Sequence, residues 1–343
     1  MTHPVLLDVD TGVDDALAIL FAVAHPEIEL LGITCVAGNT SLENVVANTL
    51  RVLDVADAPP VPVAGGAIRP LIEAARASHA HGSDGFGELS ADPDFAHPHS
   101  FRAADPRHAV DLLRDLLLSA AEPVTIVALA PQTNLALLLR QHPELAPQIE
   151  RILFMGGSAG VGNATPVAEF NVWHDPEAAA IVLDSSVQTF MYGLDVFNQV
   201  TIDRADADSL LAAPGASARL AGRLLQFPMG DDPDAPNESA AAADAAPSYT
   251  GHIGDAGALC ALVDPGALRI ERRPVRVELA GFARGQTIVD RRQRVGEDAI
   301  HAGAAAGSGS AGTLPGTTLV DVALDVDRSR YARLFLDTIA RLP

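Results

Sequence analysis

Four aspartates lie within eight residues near the start of the chain: Asp8, Asp10, Asp14 and Asp15. Asp8 and Asp10 are two apart in a strand-like run, so their side chains share one face. Gly12 permits a sharp turn, and Asp14 and Asp15 then fall in a first helical turn, where the helix dipole favours negative charge. Capping and surface solvation account for one or two of them. Four converging carboxylates repel one another unless they hold a cation, and oxygen-only ligation favours Ca²⁺ or Mg²⁺.

The aspartate pair also fits a second class of enzyme, the haloacid dehalogenase-like phosphatases. These open with a strand that ends in Asp-x-Asp and bind Mg²⁺. Their pattern has Thr or Val where this chain has Gly12, and they commonly need a lysine to neutralise the phosphoryl site. All 23 basic residues of this chain are arginines. The phosphatase is therefore the less favoured alternative, and chemistry that requires a lysine amine is excluded.

Alternating strand and helix patterns must position these aspartates. Apolar runs typical of buried strands occur at Val5–Val9, Leu30–Val36, Val124–Leu129, Ile152–Met155 and Thr189–Tyr192. Helical patterns follow three of them, at Asp14–Ala24, Leu42–Val55 and Asn134–Arg140. This alternation predicts an α/β fold with a Rossmann-like, mostly parallel sheet flanked by helices on both faces. Ligands of such folds bind beyond the C-terminal ends of the strands, where the aspartates stand.

Composition narrows the remaining possibilities. The 343 residues are 48% hydrophobic, enough for one large core, and no domain boundary is evident, so residues 1–343 are expected to form a single domain. The formal charge of −21 argues against nucleic-acid binding. The apolar runs are too short to span a membrane, and no signal-peptide pattern precedes the first strand, so a cytoplasmic protein is expected.

Two cysteines, Cys35 and Cys260, exclude a disulfide-built fold and are expected to be buried thiols. Loose loops are predicted at about 228–250 and 302–318, the first a candidate lid or a surface insertion without a role.

The segment Asp8–Ala16 resembles the signature of the inosine-uridine preferring nucleoside hydrolase family. Further motifs follow in the family's order: Ala37–Asn39, His81–Gly85, Ala128–Asn134, Met155–Gly157 with Asn163, Glu169–Asn171 with Asp175–Ala178, and Asp255 with Asp264 and Pro265. Together they span residues 5 to about 265. The resemblance implies a single α/β domain, usually a homodimer or homotetramer. It also implies Ca²⁺-dependent hydrolysis of the N-glycosidic bond of ribonucleosides to ribose and free base, in nucleoside salvage.

Roles for individual residues follow from the same resemblance. The implied Ca²⁺ ligands are Asp10, Asp15, the backbone carbonyl of Leu129, and Asp255, and Asp10 would also activate the water bound to the ion. Asp14 would contact a ribose hydroxyl, and Asp8 would be a structural acid behind the site. The other ribose-binding positions are Asn39, Asn163, Glu169 and Asn171. Three of these residues also have an alternative role without substrate binding. The alternatives are a turn cap for Asn163, a strand end in left-handed geometry for Asn39 and a helix-start acid for Glu169.

The chain departs from the family pattern at Gly254, where many members have a histidine that protonates the leaving base. His252 is one candidate for this role, with a solvent-exposed loop position as its alternative, and Tyr249 is another. His81 matches a position on the base side of the site. His79 is expected to be a bystander. Trp173 is expected to pack in the core, with stacking on a purine base as the less favoured alternative. The departure leaves the base preference open. It also motivates a second hypothesis, a non-catalytic or altered paralogue that binds a ribosyl ligand at the same calcium site.

Overall fold

The computed structural model describes residues 2–76, 78, 80–92, 94–95, 102–227, 250–292 and 318–343. The loops expected at about 228–250 and 302–318 lie outside these ranges, except for Thr250 and Thr318 at their ends. His79 and Tyr249 also lie outside them.

The described residues form one nine-stranded sheet and a separate two-stranded one. The strands are β1 His3–Val9, β2 Ile28–Cys35, β3 Val63–Gly65, β4 Val124–Ala128, β5 Ile149–Met155, β6 Thr189–Tyr192, β7 Thr201–Asp203, β8 Thr250–His252, β9 Leu268–Val277, β10 Thr287–Val289 and β11 Thr318–Val326. The large sheet has the order β10-β9-β11-β6-β5-β4-β1-β2-β3, and β7 pairs with β8. Strands β11 to β3 in that order are parallel, whereas β9 and β10 are antiparallel at one edge. The predicted mostly parallel sheet is therefore confirmed.

Helices cover both faces of the large sheet. They are α1 Val13–Ala24, α2 Leu42–Val55, α3 Ala109–Ser119, α4 Thr133–Gln141, α5 Phe170–His174, α6 Pro176–Leu183, α7 Leu194–Phe197, α8 Arg204–Leu211, α9 Ala216–Leu225, α10 Ala256–Val263 and α11 Arg328–Ile339. Side chains of α1, α9, α10 and α11 share one apolar core, and side chains of α3, α4 and α6 share the other. Strand β1 shows why this run is apolar apart from Asp8: Leu7 and Val9 enter the first core, and Leu6 enters the second.

The C-terminal ends of the parallel strands bring distant segments to one edge of the sheet. The loop after β1 carries Asp10, and the loop after β2 carries Gly38 and Asn39. These two loops touch, because a Cβ at Gly38 would stand only 2.0 Å from Oδ2 of Asp10. Glycine at position 38 therefore permits the close approach of the two strand ends.

The two cysteines are free and buried, as the sequence predicts. In the part of the chain that the structure describes, no helix has the length and apolar character needed to cross a membrane.

Candidate active site

Three buried carboxylates meet at this edge of the sheet. Asp14 and Asp15 lie in the first turn of α1, and Asp255 is the N-cap residue of α10. Each offers an oxygen, and these oxygens lie within 4.8 Å of one another. Two helices thus begin at one point, and their dipoles favour negative charge there. Dipoles alone do not offset three carboxylates withdrawn from water.

Asp10 lies beside this group of three. Its Oδ2 accepts a hydrogen bond of 2.7 Å from the backbone N–H of Asn39. Asp15 accepts from the backbone N–H of Gly12 at 2.9 Å and from Nδ2 of Asn39 at 3.3 Å. In contrast, Oδ1 of Asp10 and Oδ1 of Asp14 are buried without any hydrogen-bond partner. Buried polar atoms without a hydrogen-bond partner are rare in folded proteins, and a bound ion is one explanation for them.

Burial dominates the electrostatics of the cluster. It raises the pKa of Asp15 to about 8, and repulsion from Asp14 adds to the rise. The pKa values of Asp10 and Asp255 are also raised, first by burial and then by the neighbouring aspartates. A divalent cation would counter both effects, because it stabilises the charged carboxylates that burial disfavours. The residues present therefore fit a hard cation with oxygen ligands.

A cavity of about 360 Å³ opens above the aspartates. Nine of the residues expected in the site line it: Asp14, Asn39, His81, Leu129, Asn163, Glu169, Asn171, His252 and Asp255. Asp10 and Asp15 are fully buried and do not line it. The sequence prediction missed Phe197 and Asn198, which also line the cavity. Their place at the end of α7, the short helix that follows β6 at the C-terminal edge of the sheet, was the available signal.

Glu169 and Asn171 flank Phe170, the first residue of α5. Glu169 caps the helix by accepting from the N–H groups of Asn171 and Val172, and it also accepts from Gly157 at 2.9 Å. Burial raises the pKa of Glu169 to about 7. Nδ2 of Asn171 donates to the carbonyl of Leu129 at 3.0 Å and to that of Met155 at 3.2 Å, so it joins the ends of β4 and β5. Glu169 is thus both a helix-start acid and a cavity residue.

The contacts of three other polar residues can be compared with the roles expected for them. Oδ1 of Asn163 accepts from the backbone N–H of Phe170 at 2.9 Å, so Asn163 does cap a turn while it lines the cavity. Asn39 is not among the described residues with positive φ, and the left-handed alternative for it is wrong. Asp8 is fully buried behind the site, where it accepts from Thr34 at 2.7 Å and from Asn134 at 2.8 Å. It is therefore a structural acid, as expected.

The histidines approach the cavity from two different segments. Nδ1 of His81 accepts from the backbone N–H of Val13 at 3.2 Å and lies 3.7 Å from Oδ1 of Asp14. Since Nδ1 is the acceptor, the ring proton of the neutral form lies on Nε2. Burial lowers the pKa of His81, which favours this neutral form. His252 lines the cavity from β8, so its solvent-loop alternative is not observed.

Trp173 does not line the cavity. It is half-buried and packs against Phe170 at a ring-centroid distance of 6.1 Å, and the guanidinium of Arg76 lies 4.5 Å from its ring centroid. The predicted place of Trp173 in the core is wrong, because the side chain is only half-buried and one face of its ring lies under an arginine.

An α/β sheet with buried aspartates beneath a polar cavity is the architecture of a known family of hydrolases. The chain belongs to the inosine-uridine preferring nucleoside hydrolase family, whose model matches residues 5–333. It is accordingly a hydrolase that acts on N-glycosyl compounds, and the phosphatase alternative is excluded.

Relatives and solved structures agree with this assignment. The chain is 39% identical over 297 residues to the pyrimidine-specific ribonucleoside hydrolase RihA of Salmonella agona (strain SL483), with 84% of this chain and 89% of that protein covered. It is also similar to the solved structure of a plant nucleoside hydrolase, at a TM-score of 0.82 and 27% identity over 99% of each chain. A purine-preferring ribonucleoside hydrolase from Gardnerella vaginalis matches at a TM-score of 0.79 and 27% identity over 98% of each chain.

Proposed function

We propose that the protein hydrolyses the N-glycosidic bond of ribonucleosides in a Ca²⁺-dependent reaction that releases ribose and free base for salvage. The observation that carries this proposal is the buried group of Asp14, Asp15 and Asp255, of which Asp14 and Asp255 line a polar cavity. The orphaned oxygens of Asp10 and Asp14 beside it add to the demand for a cation.

Calcium fits the donor set better than magnesium does. Ca²⁺ accepts six to eight oxygens in flexible geometry, whereas Mg²⁺ requires a near-ideal octahedron. Asp10, Asp15, Asp255 and the carbonyl of Leu129 would hold the ion, and the remaining positions would be open to water and ribose hydroxyls. When bound, the ion orients these groups and lowers the pKa of a water molecule. Asp14 would bind a ribose hydroxyl, but its place in the group of three also makes it a candidate ligand.

Asp10 is proposed to accept the proton of the attacking water. Asn39 holds one oxygen of this carboxylate through its backbone N–H, which leaves Oδ1 as the proton acceptor. A fixed, buried carboxylate with one free oxygen has the geometry of a general base.

The polar wall of the cavity would bind the sugar. Glu169, Asn163, Asn171 and Asn39 are the proposed partners of the ribose hydroxyls. Cleavage of the bond from C1′ to nitrogen develops positive charge on the ribose, as in glycoside hydrolysis generally. Nearby carboxylate and amide oxygens stabilise that charge. Such a site rejects 2′-deoxyribonucleosides, because a polar group would lose its partner.

The leaving base requires a proton, and the two cavity histidines are proposed to serve it. Nε2–H of His81 would donate a hydrogen bond, and His252 would protonate the base in place of the histidine that Gly254 replaces. We further propose a preference for uridine and cytidine. The support is the pyrimidine-specific relative at 39% identity, which is closer in sequence than the purine-preferring enzyme at 27%.

We also propose that residues 1–343 form one domain that assembles as a homodimer or homotetramer. Size-exclusion chromatography with multi-angle light scattering tests the assembly, and a monomeric mass would contradict it.

Release of free ribose tests the activity. The purified protein would be incubated with uridine, cytidine, inosine, guanosine and adenosine, with calcium and then with a chelator. We expect calcium-dependent release, fastest from the pyrimidine ribonucleosides. Asp10→Asn should lower kcat by about 10²–10⁴-fold, whereas Asp184→Asn, at an exposed helix end, should not change it. Thermal stabilisation by ribose with calcium, without release of ribose from any nucleoside, would instead indicate the non-catalytic paralogue.

A further inference from the structure

The hairpin formed by β9 and β10 contacts the substrate segment without reaching the cavity. The substrate segment, residues 156–177, carries Asn163, Glu169 and Asn171. None of the described residues that line the cavity comes from the hairpin. The hairpin nevertheless meets the segment at its beginning and, through two further contacts, near its end.

Thr287 of β10 binds the beginning of the substrate segment. Its hydroxyl accepts from the backbone N–H of Ser158 at 2.8 Å and donates to the carbonyl of the same residue at 2.7 Å. Thr287 is only 3% exposed, so water does not compete for these two hydrogen bonds. Gly157, the preceding residue, adopts φ +71° and packs directly on the threonine, since a Cβ there would stand 2.7 Å from Cγ2 of Thr287.

Gly157 connects this contact to the cavity. Its N–H donates to Oε2 of Glu169 at 2.9 Å, and its carbonyl accepts from the backbone N–H of Leu194 at 3.0 Å. The carboxylate of Glu169 is thus oriented partly by the peptide N–H of Gly157, and Thr287 holds the next residue, Ser158. A shift of this peptide would rotate the carboxylate that faces the cavity.

Two more contacts lie near the end of the segment. Gly285, at φ +87°, lies against the backbone of Trp173, so close that a Cβ would stand 2.7 Å from Cα of the tryptophan. The guanidinium of Arg284 forms a two-bond ion pair with Glu177, at 2.7 and 2.8 Å. Both carboxylate oxygens are engaged, the geometry in which an arginine pair is most specific.

We propose that this hairpin is a clamp on the substrate segment and that Thr287 is a positioning residue for substrate binding through Glu169. The role of Glu169 toward ribose rests on the proposed function. The clamp itself rests on the contacts of Thr287, Gly285 and Arg284.

Two variants separate the hydroxyl of Thr287 from its bulk. Thr287→Val keeps the shape and loses both hydrogen bonds, while Thr287→Ser keeps the hydroxyl. Thr338→Val is the matched control, because Thr338 is equally buried and its hydroxyl donates to a carbonyl within α11, far from the hairpin. We expect Thr287→Val to raise KM for the best ribonucleoside about tenfold, since a buried hydrogen-bond group is left unpaired, with kcat changed far less. Thr287→Ser should restore most of the loss, and Thr338→Val should leave KM unchanged.

Hydrogen exchange provides a readout that does not depend on turnover. Thr287→Val should speed amide exchange in residues 156–172 and leave β1 and α1 unchanged. Arg284→Gln, which removes a partly exposed ion pair, should speed exchange at residues 173–177 and serves as a second variant should Thr287→Val not fold. Unchanged KM together with unchanged exchange would overturn the clamp. An inactive wild type with faster exchange in Thr287→Val would contradict the proposed function and still support the clamp.

Discussion

Gly254 lies directly against Asp14, and this contact brings the last aspartate of the cluster to the first ones. A Cβ at Gly254 would stand 2.4 Å from Cβ of Asp14, and the backbone there adopts φ +54°. Both the space and the backbone angle exclude a side chain in this conformation. The position that departs from the family pattern is therefore one that allows Asp255 and Asp14 to approach each other.

Substitution of Gly254 should therefore damage the site more than the fold. We expect Gly254→Ala to lower kcat/KM by about tenfold or more and to weaken calcium binding, because Asp14 must move. Gly281→Ala is the matched control, since Gly281 has φ +68° and no atom within 4 Å of a Cβ placed there. It should cost about 1 kcal/mol of stability and keep activity. Equal effects of the two substitutions, measured by ribose release and thermal unfolding, would contradict this role for the contact.

Calcium should stabilise the protein more at pH 8 than at pH 5.5. Burial raises the pKa of Asp15 from 3.8 to about 8 and raises those of Asp10 and Asp255 in the same direction. Between about pH 4 and about pH 8, the cation-free folded state binds more protons than the unfolded state does. The free energy of unfolding of the cation-free protein therefore falls as the pH rises through this range.

Thermal unfolding in chelator and in calcium, at pH 5.5 and at pH 8, measures this linkage. A bound cation removes the need for those protons, so the calcium-induced rise in Tm should be larger at the higher pH. An equal rise at both values would mean that these carboxylates are not the ones that bind the ion. Asp184→Asn should behave like the wild type, because this aspartate is exposed.

Removal of the cavity histidines should matter most when the leaving group needs a proton. His81→Ala and His252→Ala should each lower kcat/KM for uridine by about 10²-fold or more, the usual contribution of a general acid. With p-nitrophenyl riboside, whose leaving phenolate needs no proton, the loss should be far smaller. A histidine variant that loses the same factor with both substrates would bind or orient the sugar rather than protonate the base. His142→Ala, at a helix end remote from the cavity, is the control.

Even an isosteric substitution of Asn171 should destabilise the protein. Its Nδ2 donates to the carbonyls of Leu129 and Met155, so Asn171→Asp would direct a carboxylate oxygen at two carbonyl oxygens. We expect a loss of about 2–4 kcal/mol in the free energy of unfolding, measured in urea, together with loss of ribose release. Asn198→Asp, at an exposed position of the cavity mouth, should leave stability nearly unchanged. Similar unfolding midpoints for the two variants would contradict the anchoring role.

Local patterns in the sequence predicted five of the eleven described strands, three of the eleven described α-helices and the acidic motif. Strand β1 was predictable because a strand buried on both faces is continuously apolar, and Asp14 and Asp15 were placed in the first turn of α1 because Gly12 and the helical period leave few alternatives. Motif order then located Glu169 and Asn171, although each taken alone is compatible with an ordinary helix cap.

Tertiary structure alone decided which distant groups meet. The approach of Asp255 to Asp14, the lining of the cavity by Phe197 and Asn198, and the hold of Thr287 on Ser158 join segments far apart in the chain. Periodicity fixes the conformation of a segment and the face that it buries, but strand order and close packing fix its neighbours. The aspartate-rich motif could therefore be recognised from its residues, whereas the contacts that gather and orient its partners follow from the folded sheet.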